Sequence, residues 1–187
     1  MGFTREELER YRDRTVADLV APGCRLLFVG INPGLWTAAT NTHFCHPSNR
    51  FYKAMRSAGI LDWEVDPDTG MSDDQRTDFL SRGMGITNLV PRATARAAEL
   101  AASELREGAE RLRSQVTELD PVVVAIAGVT AYRVAFSRSK AKLGEQPEPL
   151  GRSAVWVVPN PSGLNAHETV TSLAIWYRKA AEAAGIV

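Results

Sequence analysis

One strand and the loop that follows it carry most of the information about the fold: residues 25–34 read Arg-Leu-Leu-Phe-Val-Gly-Ile-Asn-Pro-Gly. A short apolar run bounded by glycine is typical of a buried strand. Similar runs at residues 85–90, 122–127 and 154–158 predict three more strands. Helical patterns separate these runs, which favours parallel strands covered on both faces. The sequence therefore predicts an α/β fold, a three-layer α/β/α sandwich around a short, mainly parallel sheet of four to five strands.

The spacing of apolar residues also predicts where the helices lie. Helices are expected over residues 4–20, 50–58, 103–119, 130–136 and 168–184, with one more that begins after Ser72. Thr4 followed by Glu7 has the spacing of a capping box. Because there is no internal repeat or low-complexity linker, we expect residues 1–187 to form a single domain, with an N-terminal helix within residues 1–20 packed on it.

Composition excludes several classes of protein. The chain has 187 residues, a length that suits one domain. Its two cysteines are too few for a disulfide framework. The charged N-terminus lacks the apolar core of a signal peptide, and no apolar run approaches the length of a membrane span. We therefore expect a cytoplasmic protein of bacterial type with no membrane partner.

The charges are unevenly distributed along the chain. There are 22 basic and 22 acidic residues. The resulting net charge of +0 disfavours binding of nucleic acid through overall positive charge. Acidic residues are nevertheless absent from residues 19–61, 79–98 and 149–167. This distribution predicts a neutral or positive groove on an otherwise acidic body.

Ligands of parallel α/β sheets bind beyond the carboxyl ends of the strands, so the loops at those ends matter most. Residues 30–34 have the composition of an ordinary strand-to-helix turn, which is one interpretation. Neither a phosphate-binding loop nor a dinucleotide fingerprint is present, because the required Lys and repeated glycines are missing.

The loop after the last predicted strand, residues 159–165, reads Pro-Asn-Pro-Ser-Gly-Leu-Asn. Ser162 and Gly163 are expected to leave backbone N–H groups available to an anion. Leu164 lies in a polar loop, where two interpretations are open. Its side chain is either tucked into the protein or acts as a wedge between stacked bases.

Residues 41–47 read Asn-Thr-His-Phe-Cys-His-Pro. His43, Cys45 and His46 invite a metal interpretation, but an adjacent Cys and His do not easily face one ion and no second ligand cluster exists. We therefore expect no metal and no cofactor. Phe44 is either a core residue or a platform on which a base stacks.

Taken together, the loop motifs resemble the mismatch-specific uracil-DNA and thymine-DNA glycosylase family. The resemblance runs from about residue 21 to residue 177 and rests on residues 30–35, 46–51, 85–92, 121–128 and 160–164. It implies a monofunctional glycosylase that flips uracil, and related damaged pyrimidines, out of mismatched duplex DNA, especially opposite G. Hydrolysis of the N-glycosidic bond would then leave an abasic site in base excision repair.

The resemblance also implies roles for individual residues. Asn32 matches the catalytic Asn that positions the attacking water. The base-binding positions are Gly30, Ile31, Thr37, His43, Phe44 and Asn88. The DNA-binding and wedge positions are Asn160, Pro161, Ser162, Gly163, Leu164 and Asn165. Because an amide is not a general base, the barrier must fall mainly through a stretched bond and an oxocarbenium-like sugar.

Two positions depart from the pattern of the family. Thr37 is bulkier than the expected Ala or Ser, which disfavours efficient excision of thymine. Residues 165–167 are Asn-Ala-His where an Arg commonly follows the wedge, so discrimination of the opposite base is expected to be weaker or to depend on Asn165.

The implied partner is double-stranded DNA with U:G or related mispairs, bound by a monomer that associates with the nucleoid through DNA. Two rivals come from other functional classes. A catalytically weak DNA-damage or mismatch binding module is disfavoured because Asn32, Phe44 and Leu164 are all retained. A nucleotide-binding hydrolase is disfavoured because the sequence shows no phosphate-binding loop and no nucleophile–base pair.

Overall fold

A five-stranded sheet of order β2-β1-β3-β5-β4 forms the centre of the computed structural model, which describes residues 2–187. The strands are β1 (Leu26–Gly30), β2 (Met84–Asn88), β3 (Val123–Ala127), β4 (Gly144–Glu145) and β5 (Ala154–Val158). All pairs are parallel except β4 with β5, which is antiparallel. The predicted α/β fold is confirmed, and β4 is a short edge strand that the sequence did not indicate.

Seven α-helices lie within residues 2–187. They are α1 (Arg5–Glu9), α2 (Leu35–Thr40), α3 (Phe51–Ser57), α4 (Asp73–Ser81), α5 (Ala102–Leu119), α6 (Val129–Ala135) and α7 (Val170–Ala183). A 3₁₀ turn spans Ala97–Glu99. The spacing of apolar residues did not predict helix α2, although the strand-to-helix interpretation of residues 30–34 implies a helix at this place. None of the helices in the described chain is long and apolar enough to cross a membrane.

The layers follow from alternation along the central strand β1. Leu26 and Phe28 face a core shared with α3 and α7, whereas Leu27 and Val29 face a second core shared with α5 and α6. Side chains on a strand alternate between faces, so a strand that is apolar throughout is buried on both. The two cores therefore produce the three-layer arrangement.

The N-terminal helix is much shorter than predicted, and the expected helix over residues 4–20 is wrong beyond its first turns. Thr4 does begin it, because Thr4 Oγ1 accepts from the Glu7 N–H at 3.2 Å. Helix α1 ends at Glu9, and Asp13 has a left-handed φ of 61°. Met1, which the prediction included, lies outside the described residues.

Residues 13–19, here called the N-terminal strap, replace the rest of the predicted helix. Leu19 N donates to the Ile86 carbonyl at 2.9 Å, and Ile86 N donates back at 2.7 Å. An exposed strand edge offers a row of unpaired backbone groups, so β2 captures this segment as an extended chain. The spacing of apolar residues within the segment does not indicate that pairing with β2 is favoured over a longer helix.

The strand order places a topological switch point beside β1. The chain passes from β1 to β2 on one side and returns to β3 on the other. At the carboxyl ends, Gly30 of β1 lies in register with Asn88 of β2. Loops that leave adjacent strands in opposite directions open a crevice between them, which is where such sheets bind ligands.

Candidate active site

A cleft of about 870 Å³ opens at the carboxyl ends of the parallel strands. Of the residues singled out from the sequence, those that line it are Gly30, Ile31, Asn32, Thr37, His43, Phe44, Asn88, Asn160, Ser162, Leu164 and Asn165. Pro161 and Gly163 belong to the same loop but do not line the cleft. Folding therefore brings most of the predicted site residues to one place.

Asn32 lies in the turn between β1 and α2. The turn is a strand-to-helix connection, as one interpretation held, and it lines the cleft at the same time. Asn32 Nδ2 donates to Thr94 Oγ1 at 2.8 Å and to the Arg92 carbonyl at 3.1 Å. Its Oδ1 has no hydrogen-bond partner in the described chain. The amide is therefore held by its nitrogen, and its oxygen remains available to a water molecule.

Thr94 is a part of the site that the sequence did not reveal. It is 1% exposed, and its hydroxyl donates to the Arg96 carbonyl at 2.9 Å. Because the single hydroxyl proton is used there, Thr94 Oγ1 can only accept from Asn32. A threonine in a polar loop carries no signal of this role, although it lies in a loop expected to border the site.

Phe44 packs against the core and also lines the cleft, so its role as a platform for a base stays a prediction. Its ring stacks on Phe51 with centroids 4.3 Å apart, and the residue also lines the cleft. Its φ of 58° is rare for a bulky side chain and holds the ring over Gly30. A Cβ on Gly30 would lie 3.2 Å from this ring. Glycine is thus required for the ring to approach the end of β1.

Ile31 and Phe44 both line the cleft, and each has a backbone N–H group. Neither donates a hydrogen bond to any residue between 2 and 187, whereas the Ile31 carbonyl accepts from Val90 at 2.9 Å. Unpaired N–H groups that face a cleft stabilise negative charge on a ligand, and this role stays a prediction for Ile31 and Phe44.

Asn88 and His43 form a hydrogen-bonded pair at the end of β2. Asn88 Nδ2 lies 3.1 Å from His43 Nδ1, and His43 Nε2 lies 3.0 Å from the Ala17 carbonyl. Burial lowers the pKa of His43 below its usual value, so the ring is neutral at pH 7. Arg111 donates to the carbonyls of Asn88 and Leu89 from helix α5, a contact that the sequence did not indicate.

Thr37 lies in the first turn of α2, is buried and lines the cleft. Helix α2 begins immediately after the Asn32 turn, so the helix places this side chain near the strand end. That Thr37 limits the size of a bound base stays a prediction.

Leu164 projects from the loop after β5 and is 83% exposed, so the tucked-in interpretation is wrong. The loop beneath it is held by Arg50, whose Nη2 donates to the carbonyls of Ser162 at 2.6 Å and Asn165 at 2.8 Å. Arg50 also donates through its backbone N–H to the Pro161 carbonyl at 3.0 Å. Arg50 was not singled out from the sequence.

The backbone N–H groups of Ser162 and Gly163 were both expected to be free. Within residues 2–187 only that of Gly163 donates no hydrogen bond. Ser162 N donates to Asn160 Oδ1 at 2.9 Å, and Asn165 Nδ2 donates to the Asn160 carbonyl at 3.0 Å. Gly163 packs against Ser48, where a Cβ would lie 2.4 Å from the hydroxyl oxygen. Asn160 and Asn165 thus hold the loop from within, a structural role that precedes any contact with a ligand.

Comparison with known proteins identifies the family. The model of the uracil DNA glycosylase superfamily matches residues 17–182. The chain belongs to the uracil DNA glycosylase superfamily. Membership makes it a DNA glycosylase, a hydrolase of N-glycosyl bonds whose partner is DNA. The glycosylase also shares its fold with a proposed uracil DNA glycosylase from Methanosarcina acetivorans solved by solution NMR. The TM-score is 0.60 at 13% identity, over 93% of this chain and 98% of that one.

The three side chains that invited a metal interpretation are engaged elsewhere in the glycosylase. His43 uses both ring nitrogens as described above, and Cys45 Sγ contacts the carbonyls of Asp66 and Pro67 at 3.8 and 3.7 Å. His46 Nδ1 lies 2.9 Å from Ser48 Oγ. Within residues 2–187, no three His, Cys, Asp or Glu side chains form a group that could hold a metal ion.

The charges around the cleft of the glycosylase are few. In the part of the chain that the structure describes, its lining contains one arginine, Arg96, and one carboxylate, Glu168. The Glu168 carboxylate accepts from Ser172 Oγ at 2.6 Å, which ties it to the first turn of α7. The lining therefore has no net acidic character, in keeping with the acid-free stretches of the sequence.

Proposed function

We propose that the protein is a monofunctional glycosylase of the mismatch-specific uracil-DNA and thymine-DNA type, which removes uracil from duplex DNA, especially opposite G. One observation carries the proposal. A tethered asparagine, an aromatic platform and a strongly exposed leucine border the same cleft: Asn32, Phe44 and Leu164. These are the parts needed to hold a flipped base, direct a water molecule and fill the vacated position in the stack.

Recognition of the base begins with stacking. A pyrimidine in the cleft would lie against the Phe44 ring, whose other face is supported by Phe51. Asn88 would contact the edge of the base, and the N–H groups of Ile31 and Phe44 would contact its carbonyl oxygen. Thr37 limits the space for a 5-methyl group, so uracil is favoured over thymine.

The proposed mechanism follows from the absence of a general base at position 32. An amide does not take a proton at neutral pH, so Asn32 orients the water rather than activating it as a base. The N-glycosidic bond breaks first in such a site, and its electron pair leaves with the base. The unpaired N–H groups stabilise the resulting anion. Water oriented by Asn32 Oδ1 then adds to C1′ of the sugar, and the released base takes up a proton.

A monofunctional reaction is supported by the composition of the cleft. A lyase step requires an amine that forms a Schiff base with the sugar. Among the described residues that line the cleft there is no lysine. The product is therefore an abasic site with an intact strand.

Preference for U:G arises from the cost of flipping. Extruding a nucleotide costs a few kcal/mol, and least at a mispair. Leu164 would enter the gap and offset the lost stacking. With Asn165 in place of an Arg after the wedge, contacts to the opposite base are few, so the weakness of the pair itself accounts for most of the selectivity.

The test is single-turnover excision on end-labelled duplexes that contain U:G, U:A, T:G or C:G, followed by alkali to cleave abasic sites. We expect the rate of excision to decrease from U:G to U:A to T:G, with C:G as the undamaged control. No strand cleavage should occur before alkali. Asn32→Ala should abolish most excision and leave duplex binding in a gel-shift assay unchanged. Normal binding of U:G with no excision by excess wild-type enzyme would instead indicate a damage-binding module.

A further inference from the structure

The N-terminal strap reaches the base-binding side of the cleft through one carbonyl. Ala17 O lies 3.0 Å from His43 Nε2. The strap is anchored on both sides of this point: before it, Ala93 N donates to the Arg14 carbonyl at 2.8 Å, and after it, Asp18 and Leu19 are held. Thr87 Oγ1 donates to Asp18 Oδ1 at 2.8 Å, and Gln115 Nε2 donates to Asp18 Oδ2 at 2.7 Å. Leu19 pairs with Ile86 of β2. The Ala17 carbonyl is therefore held in place relative to the sheet.

This carbonyl decides which nitrogen of His43 carries the proton. A carbonyl oxygen only accepts hydrogen bonds, so His43 Nε2 must be the protonated nitrogen. In the neutral ring, Nδ1 is then left with a lone pair and can only accept. The partner of Nδ1, 3.1 Å away, must donate, which assigns this position to the amide nitrogen of Asn88.

The orientation of the Asn88 amide has a consequence for the cleft. With Nδ2 directed to His43, Oδ1 faces the end of β1, where a Cβ on Gly30 would lie 2.3 Å from it. Rotating the amide by half a turn would bring two acceptors together, His43 Nδ1 and Asn88 Oδ1, in a buried place. The pair therefore presents an oxygen, and not an N–H group, to the space beside Gly30.

We propose that His43 is a positioning residue that makes Asn88 present an acceptor to the base. The Ala17 carbonyl of the strap fixes the tautomer of His43 that does so. The inference rests on the proposed function, because it takes the base to lie beside Asn88. An acceptor at this point pairs with the N3–H of uracil and of 5-substituted uracils. It faces a lone pair in cytosine-type bases, which carry no hydrogen at N3. The strap and His43 thus select bases by the hydrogen at N3.

The first test does not depend on activity. Long-range ¹H–¹⁵N correlation NMR on ¹⁵N-labelled protein without DNA reports which nitrogen of a histidine ring is protonated. The chain has three histidines, and His43→Phe assigns the signal that disappears. We expect His43 to be in the Nε2–H form. A protonated Nδ1 in the neutral ring would overturn the proposal.

The second test measures preference for the base. Duplexes carrying 5-fluorouracil or 5-fluorocytosine opposite G compare two bases that differ at N3. The ratio of their rates is compared between variants, so that their differences in pairing with G and in leaving-group strength cancel. We expect the wild type to prefer 5-fluorouracil strongly, and His43→Phe to reduce that preference about tenfold or more, because the Asn88 amide is then free to turn. Thr42→Val is the matched control, since Thr42 is equally buried (2% against 4% exposed) but lies outside the cleft lining.

The outcomes separate the two proposals. Excision of neither base by the wild type would reject the proposed function and leave the NMR result standing. An equal loss of both rates in His43→Phe, with the preference unchanged, would show that His43 has only a structural role and would overturn the inference. The same drop in preference in Thr42→Val would overturn it as well.

Discussion

The Asn32 amide is held by the loop after β2, because Nδ2 donates both to Thr94 Oγ1 and to the Arg92 carbonyl of that loop. An amide with three acceptors on its nitrogen, including the Pro33 carbonyl at 3.1 Å, has one orientation of low energy. Preorganisation of this kind lowers the barrier, because the site does not need to reorganise when charge develops.

Thr94→Val tests this restraint at the scale of one residue. Valine has nearly the same shape but offers no acceptor to Asn32, so we expect excision of uracil to slow about tenfold. Thr94→Ser keeps the hydroxyl and should retain most of the rate. Duplex affinity in a gel-shift assay should not change in either variant. Similar rates for Thr94→Val and the wild type would show that the hydrogen bond to Thr94 is dispensable.

Thr37→Ala tests the steric limit on the base. Removing the hydroxyl and methyl groups from the cleft lining should raise the rate on T:G relative to U:G about tenfold, the range expected for one methyl-sized change. Thr40→Ala in the same helix is the control, because Thr40 does not line the cleft. A constant ratio of the two rates in Thr37→Ala would assign the limit to another residue.

At the scale of elements, the loop after β5 is positioned by contacts beneath it. Arg50 holds the carbonyls of Ser162 and Asn165, and Asn160 closes the loop from within. Leu164 is therefore an exposed side chain on a supported backbone. Such support reduces the entropy that the loop loses when the wedge enters DNA.

Leu164→Ala should lower activity on U:A more than on U:G. The stable pair depends more on a wedge that offsets lost stacking, whereas a mispair opens at lower cost. Single-turnover rates on both duplexes measure the effect. Val122→Ala provides a control, since Val122 is also exposed (45%) but precedes β3, at the amino ends of the parallel strands and away from the cleft. Equal losses on both duplexes would contradict this account of the wedge.

At the scale of the molecule, burial of His43 links stability to pH. Its pKa is lowered in the folded state because burial disfavours the charged ring. The unfolded chain therefore binds this proton at higher pH than the folded one, and stability falls as pH drops below about 6.5. The environment of the ring contains Asp18, Arg76, Asn88 and the Ala17 carbonyl.

Urea midpoints between pH 5 and 7.5 measure this link. We expect the urea midpoint of the wild type to fall as the pH is lowered across this range. The midpoint of His43→Phe should change less with pH, because the proton-binding group is absent. The carboxylates contribute at lower pH, since Arg92 lowers the pKa of Glu104 to about 2. An unchanged slope in His43→Phe would assign the pH dependence to other groups.

The charge distribution of the whole molecule predicts a modest dependence of DNA binding on salt. Arg96 is the one cation in the described lining of the cleft. Arg96→Ala should reduce the magnitude of the slope of log K against log salt by about 0.9, the value for one phosphate contact. Arg152→Ala is the control, because Arg152 pairs with Asp120 near the start of β5. A wild-type slope near zero would contradict a role for charge in binding.

Much of the molecule was predictable because its signals are local. The apolar run of β1, buried on both faces, indicated a covered parallel sheet, and the Ser72 and Thr4 caps began their helices as expected. The residues of the strand-end loops also indicated the cleft, since parallel strands bring their carboxyl ends to one edge.

The sequence by itself determined the α/β architecture and the residue types at the strand ends, since these depend on apolar periodicity and short turn motifs. Only the tertiary structure decided the fate of residues 13–19, the support of Asn32 by Thr94 and the orientation of Asn88 through His43. Each of these is a hydrogen bond between segments distant in the chain. Such bonds form where an unpaired edge or amide meets a partner that folding alone brings within reach, and local spacing carries no record of it.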